Sequence, residues 1–353
     1  MNILIVGSGV VGLSTALDLA LSGERVTVVT RNYEEGASWV AGGMLAPLSE
    51  ELEGDLLDLS VDSLNLYGDF IGRVEEVSGI KVFFEREGIL RLGVEEEELG
   101  EVYRRAERYR EMGFKVEKLG PSEIRAEEPY LSEKIEGGVL YGDEGNVDAE
   151  KLMDALLIAM NQLGVRIVVD DVVEVEKRDR RVESVKGLKD VYRADFYVFA
   201  TGSWSRATLN LPVFPVKGQI LKVKGPEPRK VCYSRISYII PKEGYVLLGA
   251  TSEDAGFDTR NTLEGVGSLI DGAVKVMPSL KEAELLDIKV GFRPGTPDGK
   301  PIFDAGDNYL VLVGHYRNGI LWAPVSSRIA LDLIQKGVRS RYLDSFSPSR
   351  FEG

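Results

Sequence analysis

A glycine-rich turn between an apolar segment and a helical segment constrains this chain more than any other feature. Residues 2–6 (NILIV) predict a buried strand, and residues 10–22 predict a helix with apolar side chains at helical spacing. The turn in residues 7–12 reads GSGVVG, a G-x-G-x-x-G pattern. The first glycine permits the tight turn, the second lets the backbone approach a pyrophosphate, and the third lets helix and strand pack closely. The pattern therefore predicts a dinucleotide site at the helix N-terminus.

The end of the second predicted strand, residues 25–29, leaves the choice of dinucleotide open. An acidic residue usually stands here and holds a ribose hydroxyl. In this chain Thr30 takes that place, 18 residues beyond Gly12, and Arg31 follows it. Arg31 would suit a 2′-phosphate and hence NADP, but an arginine that simply lies on the surface would give the same pattern. The motif alone does not separate FAD from a nicotinamide.

Charge and residue usage argue against several classes of function. The 353 residues carry a formal net charge of −14, which disfavours nucleic acid and anionic membranes as partners. Cys232 is the single cysteine and His315 the single histidine, so we expect no disulfide framework and no bound metal. An organic cofactor is therefore expected to carry the difficult chemical step.

The sequence also bears on where the protein works. No basic leader precedes the first apolar run, and no apolar stretch reaches the roughly 20 residues that a spanning helix needs. We therefore expect no secretory signal, no membrane span and a cytoplasmic location. Glutamine is scarce, while Glu, Lys and Arg are abundant and closely mixed, which hints at a thermophilic source.

Further α/β segments occur in the middle and at the end of the chain, with β-rich segments between them. Helices are predicted at 56–77, 95–112, 147–164, 262–276 and 320–335, and strands at 165–169, 195–200 and 309–313. Two strand pairs are also predicted, 81–84 with 88–92 and 172–176 with 182–186. This order predicts an α/β plus α+β fold, in which a Rossmann-type domain is interleaved with an antiparallel-sheet domain. The first domain is assigned to residues 1–80, 137–210 and 291–353, and the second to 81–136 and 211–290.

Several segments, in order along the whole chain, resemble those of a known family. They are residues 37–47 (ASWVAGGMLAP), 200–202 (ATG), 215–219 (PVKGQ), 291–301 (GFRPGTPDGKP) and 314–324 (GHYRNGILWAP). The chain is identified by them as similar to the D-amino-acid oxidase (DAO) family of FAD-dependent oxidoreductases. The two C-terminal segments look most like those of the glycine oxidases linked to thiamine biosynthesis. A nicotinamide dehydrogenase would not be expected to carry these later segments.

The resemblance implies an enzyme with non-covalent FAD that acts on the CH–NH2 or CH–NH group of a small amino acid. It implies hydride transfer from the substrate α-carbon to the flavin, giving an imine or oxo acid, ammonia and hydrogen peroxide. The electron acceptor would be oxygen or another molecule, and a homo-oligomer or a partner subunit is possible in such a family. The Rossmann-type domain would bind FAD and the antiparallel-sheet domain the substrate.

By position, the resemblance also implies a set of site residues. Arg293 would bind the substrate carboxylate, Tyr238 and Arg317 would lie near the substrate, and Met44 would line the pocket beside the flavin. A structural ion pair for Arg293, a packing role for Arg317 and core positions for Tyr238 and Met44 are the alternatives. The residues expected to contact FAD are Gly7, Ser8, Gly9, Val10, Val11, Gly12, Thr30, Arg31, Ser38, Ala41, Gly42, Gly43, Met44, Val173, Thr201, Gly202, Arg293, Arg317, Asn318, Gly319, Ile320 and Leu321.

Two departures from the family pattern and four other functions stay open. Thr30 replaces the common acidic residue, and neither Cys232 nor His315 stands where a covalent flavin link would be expected. The nearest alternatives are a D-amino-acid oxidase and a sarcosine or L-proline dehydrogenase with another acceptor. A flavoprotein subunit that does not catalyse, or only relays electrons, is a further alternative, as is an NADP-dependent dehydrogenase.

Overall fold

The computed structural model describes residues 1–352. Its strands are β1 (Asn2–Val6), β2 (Arg25–Thr30), β3 (Met44–Leu45), β4 (Phe84–Glu85), β5 (Ile89–Gly93), β6 (Val116–Leu119), β7 (Gly137–Tyr141), β8 (Gly145–Val147), β9 (Arg166–Val169), β10 (Val172–Arg178), β11 (Arg181–Gly187), β12 (Val191–Tyr192), β13 (Phe196–Phe199), β14 (Phe214–Lys224), β15 (Val231–Tyr233), β16 (Tyr238–Lys242), β17 (Tyr245–Gly249), β18 (Glu284–Gly295), β19 (Ile302–Ala305) and β20 (Tyr309–Val313). Its helices are α1 (Val10–Leu21), α2 (Asp55–Ser78), α3 (Glu96–Glu111), α4 (Pro121–Glu127), α5 (Ala149–Gln162), α6 (Ser205–Leu209), α7 (Leu263–Val276), α8 (Gly319–Lys336) and α9 (Tyr342–Ser345).

The N-terminal strand lies inside a six-stranded sheet of order β19-β20-β13-β1-β2-β9, parallel except for β19. Alternate side chains of β1 enter different cores, because successive residues of a strand point to opposite faces. Ile3 and Ile5 pack in the core that contains α1, α2, α5 and α8, whereas Leu4 and Val6 pack in the core that contains β10 and β11. The carboxyl ends of the parallel strands therefore meet at one edge of a sheet that is covered on both faces.

The second large sheet has eight strands in the order β18-β14-β17-β16-β15-β5-β7-β6. All its pairs are antiparallel except β15 with β5. The long pairing of β14 with β18 places Val216 opposite Arg293 and Gly218 opposite Gly291. Two segments that lie far apart in the sequence therefore form one wall of the molecule.

The predicted fold class is confirmed, and most predicted elements are found with small shifts at their ends. Two helices begin where a side chain caps them: Asp148 accepts from the Lys151 amide at 3.0 Å, and Thr262 accepts from the Gly265 amide at 3.1 Å. The hairpin of β10 and β11 is confirmed. No helix formed by residues 1–352 combines the length and apolar character needed to cross a membrane.

The predicted pairing of residues 81–84 with 88–92 is wrong. β4 pairs instead with β8, which also pairs with β3, and β5 pairs with β7 and β15. The turn at Gly88 is real, with φ of 95° and an amide that donates to the Glu144 carbonyl at 2.9 Å. A local turn signal marks a change of direction, but the partner of each flanking strand is set by distant segments.

The predicted division into domains can be compared with the two large sheets. β7 and the last residues of β18 belong to the eight-stranded sheet, although the predicted boundaries assign them to the first domain. We propose the same interleaved division, with the boundaries at 136/137 and 290/291 moved to the ends of β7 and β18.

Candidate active site

A cavity with about 1720 Å³ of empty space, including solvent at its open mouth, is bounded by residues of both large sheets. Its lining comes from the carboxyl ends of the parallel strands, from the segment 35–44, from β14, β16 and β18, and from the start of α8. The predicted site residues that line it are Gly7, Ser8, Gly9, Val10, Val11, Thr30, Arg31, Ser38, Ala41, Gly42, Gly43, Met44, Thr201, Gly202, Tyr238, Arg293, Arg317, Asn318, Gly319 and Ile320.

Three predicted cofactor residues do not line this cavity. Gly12 packs against the glycine-rich turn instead, and a Cβ there would lie 2.0 Å from the Gly7 carbonyl oxygen. The side chain of Val173 points to solvent and is 54% exposed, and its neighbour Val172 lines the cavity. Leu321 is fully buried, so only its backbone N–H could reach a ligand. The roles of all three stay predictions.

The glycine-rich turn presents backbone amides to the cavity. Gly7 has a φ of +111°, and a Cβ at this position would lie 2.2 Å from the Ala200 carbonyl oxygen. The Val10 amide donates to Ser38 Oγ at 3.0 Å. Within residues 1–352, the amides of Val11 and Gly12 have no hydrogen-bond acceptor. The first turn of α1 thus offers unsatisfied donors and a positive dipole end to an anion.

Thr30 is buried beside this turn. Ser8 Oγ donates to Thr30 Oγ1 at 2.8 Å, and Thr30 Oγ1 donates to the Asn32 carbonyl at 3.3 Å. The acidic residues that line this end of the cavity are Glu35, in the segment after β2, and Asp170 and Asp171, which follow β9, the strand that pairs in parallel with β2. Sequence reasoning missed all three, although Asp170 and Asp171 directly follow a predicted strand.

The surroundings of Arg31 do not favour a 2′-phosphate. Its guanidinium lies 3.8 Å from the Asp171 carboxylate and 5.9 Å from the centre of the Trp204 ring. A phosphate bound at this place would be repelled by the Asp171 carboxylate that lies beside Arg31. A 2′-phosphate at this place would therefore have to share Arg31 with Asp171.

The first turn of α8 lines the cavity with unpaired backbone amides, and its Ile320 carbonyl accepts a hydrogen bond from another helix. Asn318 provides no side-chain cap, so the amides of Gly319, Ile320 and Leu321 have no partner within the helix. Pro324 lacks the N–H that would bond to the Ile320 carbonyl, and the Tyr67 hydroxyl donates to that oxygen at 3.0 Å instead. Tyr67 of α2 therefore replaces the hydrogen bond that Pro324 removes, and the amides at the N-terminus of α8 stay unpaired.

His315 also lines the cavity, but as a neutral group. Burial lowers the pKa of its imidazole to about 3, and Nε2 lies 3.1 Å from Ser326 Oγ. Phe303 and Trp322 flank the ring, with centroids at 5.5 and 6.1 Å. The single histidine is thus a packed polar residue that carries no charge at neutral pH.

Arg293 projects from β18 into the cavity over a glycine. A Cβ at Gly218 would lie 2.3 Å from Arg293 Nη1, so only glycine leaves room for the guanidinium. Nη1 donates to the Thr251 carbonyl at 3.0 Å. Among residues 1–352, no carboxylate lies within 4.0 Å of this side chain. The structural ion pair that was the alternative for Arg293 is therefore not formed by the described part of the chain.

Tyr238 closes the same end of the cavity. Its ring stacks on Tyr233 with centroids 6.2 Å apart and an interplanar angle of 22°. A Cβ at Gly249, its partner on β17, would lie 2.2 Å from the ring. The Tyr238 hydroxyl has no hydrogen-bond partner within residues 1–352, whereas the Tyr233 hydroxyl lies 3.5 Å from Arg317 Nη2. The Tyr238 phenol is therefore free to bond to a ligand.

Arg317 lines the cavity too, but it is paired. Its Nε lies 3.2 Å from Glu50 Oε2, and its Nη2 lies 3.2 Å from Glu50 Oε1. Burial lowers the pKa of Arg317, but the attraction of the Glu50 carboxylate and of nearby tyrosines outweighs this and raises it above the ordinary value. Sequence reasoning missed Glu50, which lies three residues beyond the segment 37–47.

Residues 2–333 match the family described as "DAO: FAD dependent oxidoreductase". The bifunctional protein ThiO/ThiG of Synechocystis is 36% identical over 99% of this chain, and the chain spans 54% of that relative. The glycine oxidase of Geobacillus kaustophilus is 32% identical over 100% of this chain and 97% of the relative.

A solved structure agrees with these relatives. The crystal structure of glycine oxidase from Geobacillus kaustophilus superposes with a TM-score of 0.94 at 30% identity, covering 99% of this chain and 98% of that one. Since the superposition covers 99% of this chain, the similarity extends over both large sheets. The predicted FAD cofactor and the predicted class of enzyme are thereby confirmed, and the NADP alternative is set aside. The chain belongs to the DAO family of FAD-dependent oxidoreductases.

Proposed function

We propose that this protein oxidises glycine or another small amino acid by hydride transfer from the substrate α-carbon to FAD. The neutral amine loses a hydride from its α-carbon, which leaves an iminium ion, and this ion gives its nitrogen proton to water to become the imine. Water converts the imine to the oxo acid and ammonia. FAD supplies the acceptor for the electron pair and passes it on to oxygen, which takes two protons to give hydrogen peroxide, or to another acceptor.

The observation that carries this proposal is the position of Arg293. It is a cation in the cavity without a carboxylate partner among residues 1–352, half-buried and aimed across Gly218. A guanidinium binds a carboxylate through two parallel hydrogen bonds, and it stays charged in such surroundings. We assign Arg293 to the substrate carboxylate.

The dimensions and donors of the cavity support FAD as the neighbour of that substrate. The free amide of Val11 at the N-terminus of α1 would hold the pyrophosphate. The amides of Gly319 and Ile320 would face the carbonyl end of the flavin ring, where a positive helix end favours negative charge. Met44 would lie beside the ring.

The residues around the substrate position it and do not exchange protons with it. His315 stays neutral because burial lowers its pKa to about 3, and its ring nitrogen is occupied by Ser326. The free Tyr238 hydroxyl would donate to the substrate carboxylate beside Arg293. Orientation of the α-carbon toward the ring is then the contribution of the protein to the rate.

The deciding experiment is the visible spectrum of the purified yellow protein before and after anaerobic glycine. Bleaching of the flavin bands supports the proposal, whereas a cofactor that stays oxidised with every amine would favour the electron-relay subunit. A panel of glycine, sarcosine, D-alanine and L-proline, assayed for peroxide and for dye reduction, separates the related oxidases and dehydrogenases. The relative from Geobacillus kaustophilus is named a glycine oxidase.

A cytoplasmic location, a thermophilic source, a homo-oligomer or partner subunit and a role in thiamine biosynthesis stay predictions. The relative from Synechocystis is named a bifunctional protein, and this chain spans about half of its length.

A further inference from the structure

The cavity holds two arginines with different electrostatic surroundings. Arg293 has no carboxylate partner within residues 1–352, and Arg317 shares a two-point ion pair with Glu50, with N···O distances of 3.2 Å at both points. The segments that carry the arginines touch, because the Tyr316 amide donates to the Pro294 carbonyl at 3.1 Å. The substrate end of the cavity therefore holds two positive charges and one negative charge.

The carboxylate of Glu50 is built into its place. Its side chain is 9% exposed and lines the cavity. The turn before it is held by the buried Glu144, which accepts from the amides of Leu48 and Ser49. These contacts fix the backbone that carries Glu50 at the edge of the cavity.

The carboxylates of the neighbouring residues Glu50 and Glu51 point in different directions. Glu51 has a φ of +60°, a conformation that non-glycine residues seldom adopt. It bonds away from the cavity, at 3.3 Å from Arg91 and 3.2 Å from Arg105. Of the pair, only Glu50 faces the substrate end of the cavity.

We propose that Glu50 restricts the substrate to one carboxylate, by neutralising Arg317 so that Arg293 is the only uncompensated cation beside the substrate. This inference rests on the proposed function and names its substrate class, a monocarboxylic amine. A second carboxylate on the substrate would meet the charge of Glu50 and would find Arg317 already occupied. Removal of the Glu50 charge would free Arg317 to bind it.

The other groups at this end do not change the charge balance. Burial raises the pKa of the Tyr233 hydroxyl well above its ordinary range, with Glu50 adding to the effect, so this tyrosine stays uncharged at neutral pH. His315 is neutral as well. The remaining charged residues of the lining, Arg31, Glu35, Asp170 and Asp171, come from the segments at the ends of β2 and β9.

The test compares substrates that differ by one carboxylate. For Glu50→Gln, the ratio of kcat/KM for iminodiacetate to kcat/KM for sarcosine should rise by about 10-fold or more over the unchanged protein, the range expected of a hydrogen bond to a charged group. The double variant Glu50→Gln with Arg317→Gln should lose this gain. Glu51→Gln, which removes an equal charge outside the cavity, should leave the ratio as it was.

A binding measurement makes the test independent of turnover. The visible spectrum of the oxidised holoprotein is titrated with acetate and with malonate, and Glu50→Gln should tighten malonate relative to acetate by a similar factor. An unchanged ratio in Glu50→Gln, or an equal rise in Glu51→Gln, would overturn the proposal. If no amine reduces the flavin, the proposed function fails, while the acetate and malonate constants still decide the role of Glu50.

Discussion

The Tyr67 hydroxyl donates to the Ile320 carbonyl at 3.0 Å, four residues before Pro324. This bond joins α2 to the first turn of α8, and it replaces the helix bond that the proline removes. Ser63 acts in the same way one residue further on, donating to the Leu321 carbonyl at 2.6 Å and accepting from the Val325 amide at 3.2 Å. The helix end that faces the cavity is thus held by side chains from outside its own helix.

Tyr67→Phe should lower the free energy of unfolding by about 1–3 kcal/mol, because it leaves the buried Ile320 carbonyl without a donor. Adding Pro324→Ala restores a backbone N–H to that oxygen and should recover part of the loss. The check is urea unfolding of both single variants and the double variant. Strictly additive effects would show that the hydroxyl and the proline are not coupled through this carbonyl.

Gly12→Ala should yield protein that binds FAD weakly or not at all. A Cβ at this position would lie 2.0 Å from the Gly7 carbonyl oxygen, so α1 would have to move away from β1 and carry its free amides with it. The measure is the flavin content of the purified protein and its thermal midpoint. Gly267→Ala is the matched control, because nothing lies within 4 Å of a Cβ there and alanine favours the helix. Full flavin content in Gly12→Ala would contradict the prediction.

Arg293→Lys should lower kcat/KM for glycine by about 10- to 100-fold, because a lysine ammonium cannot form the two parallel bonds of a guanidinium. Arg293→Leu should raise KM further. Glycinamide, which has no carboxylate, is the control substrate, and its kinetics should change little. Equal losses with both substrates would show that Arg293 supports the structure of the site and does not bind the substrate carboxylate.

Tyr238→Phe should raise KM for glycine by about 10- to 100-fold with little change in kcat, the effect of one hydrogen bond to a charged carboxylate. The ring stacking on Tyr233 is kept in this variant. Tyr233→Phe is the control variant, because Tyr233 does not line the cavity and its hydroxyl lies near Arg317. A larger loss in Tyr233→Phe than in Tyr238→Phe would contradict the assignment.

Glu144→Gln should change how stability depends on pH. Burial raises the pKa of Glu144 to about 8 in the folded protein, above its ordinary value of 4.5. The folded state therefore keeps a proton that the unfolded state has lost, so this contribution is complete below about pH 4.5 and falls as the pH rises toward 8, by at most about 1.4 kcal/mol per pH unit.

The measurement is the difference in unfolding free energy between the unchanged protein and Glu144→Gln from pH 5 to 8. This difference should fall with rising pH, because glutamine cannot ionise. Other buried groups, His315 with a pKa lowered to about 3 and Lys242 with a pKa lowered to about 7, contribute equally to both proteins and cancel. A difference that is flat across this range would show that Glu144 is ionised in the folded state.

Much of the fold follows from local patterns in the chain. The glycine-rich turn between an apolar strand and a helix predicts its own geometry, because a Cβ at its first or third glycine, Gly7 or Gly12, would clash with a backbone carbonyl oxygen. The hairpin of β10 and β11 was also predictable from local sequence, because its two strands are adjacent in the chain. The strands β4 and β5 also adjoin, but their partners come from elsewhere, and the predicted pairing failed there.

The sequence by itself determined the nucleotide-binding turn, the order of elements and the residue types available to the site. Only the tertiary structure decided which of two arginines carries a free charge. Arg293 and Arg317 are the same residue in adjoining motifs, yet Glu50, which is 267 residues from Arg317, pairs with one and leaves the other open. Charge pairing depends on distances between side chains after folding, and these distances are set by non-local packing that the local sequence pattern does not encode.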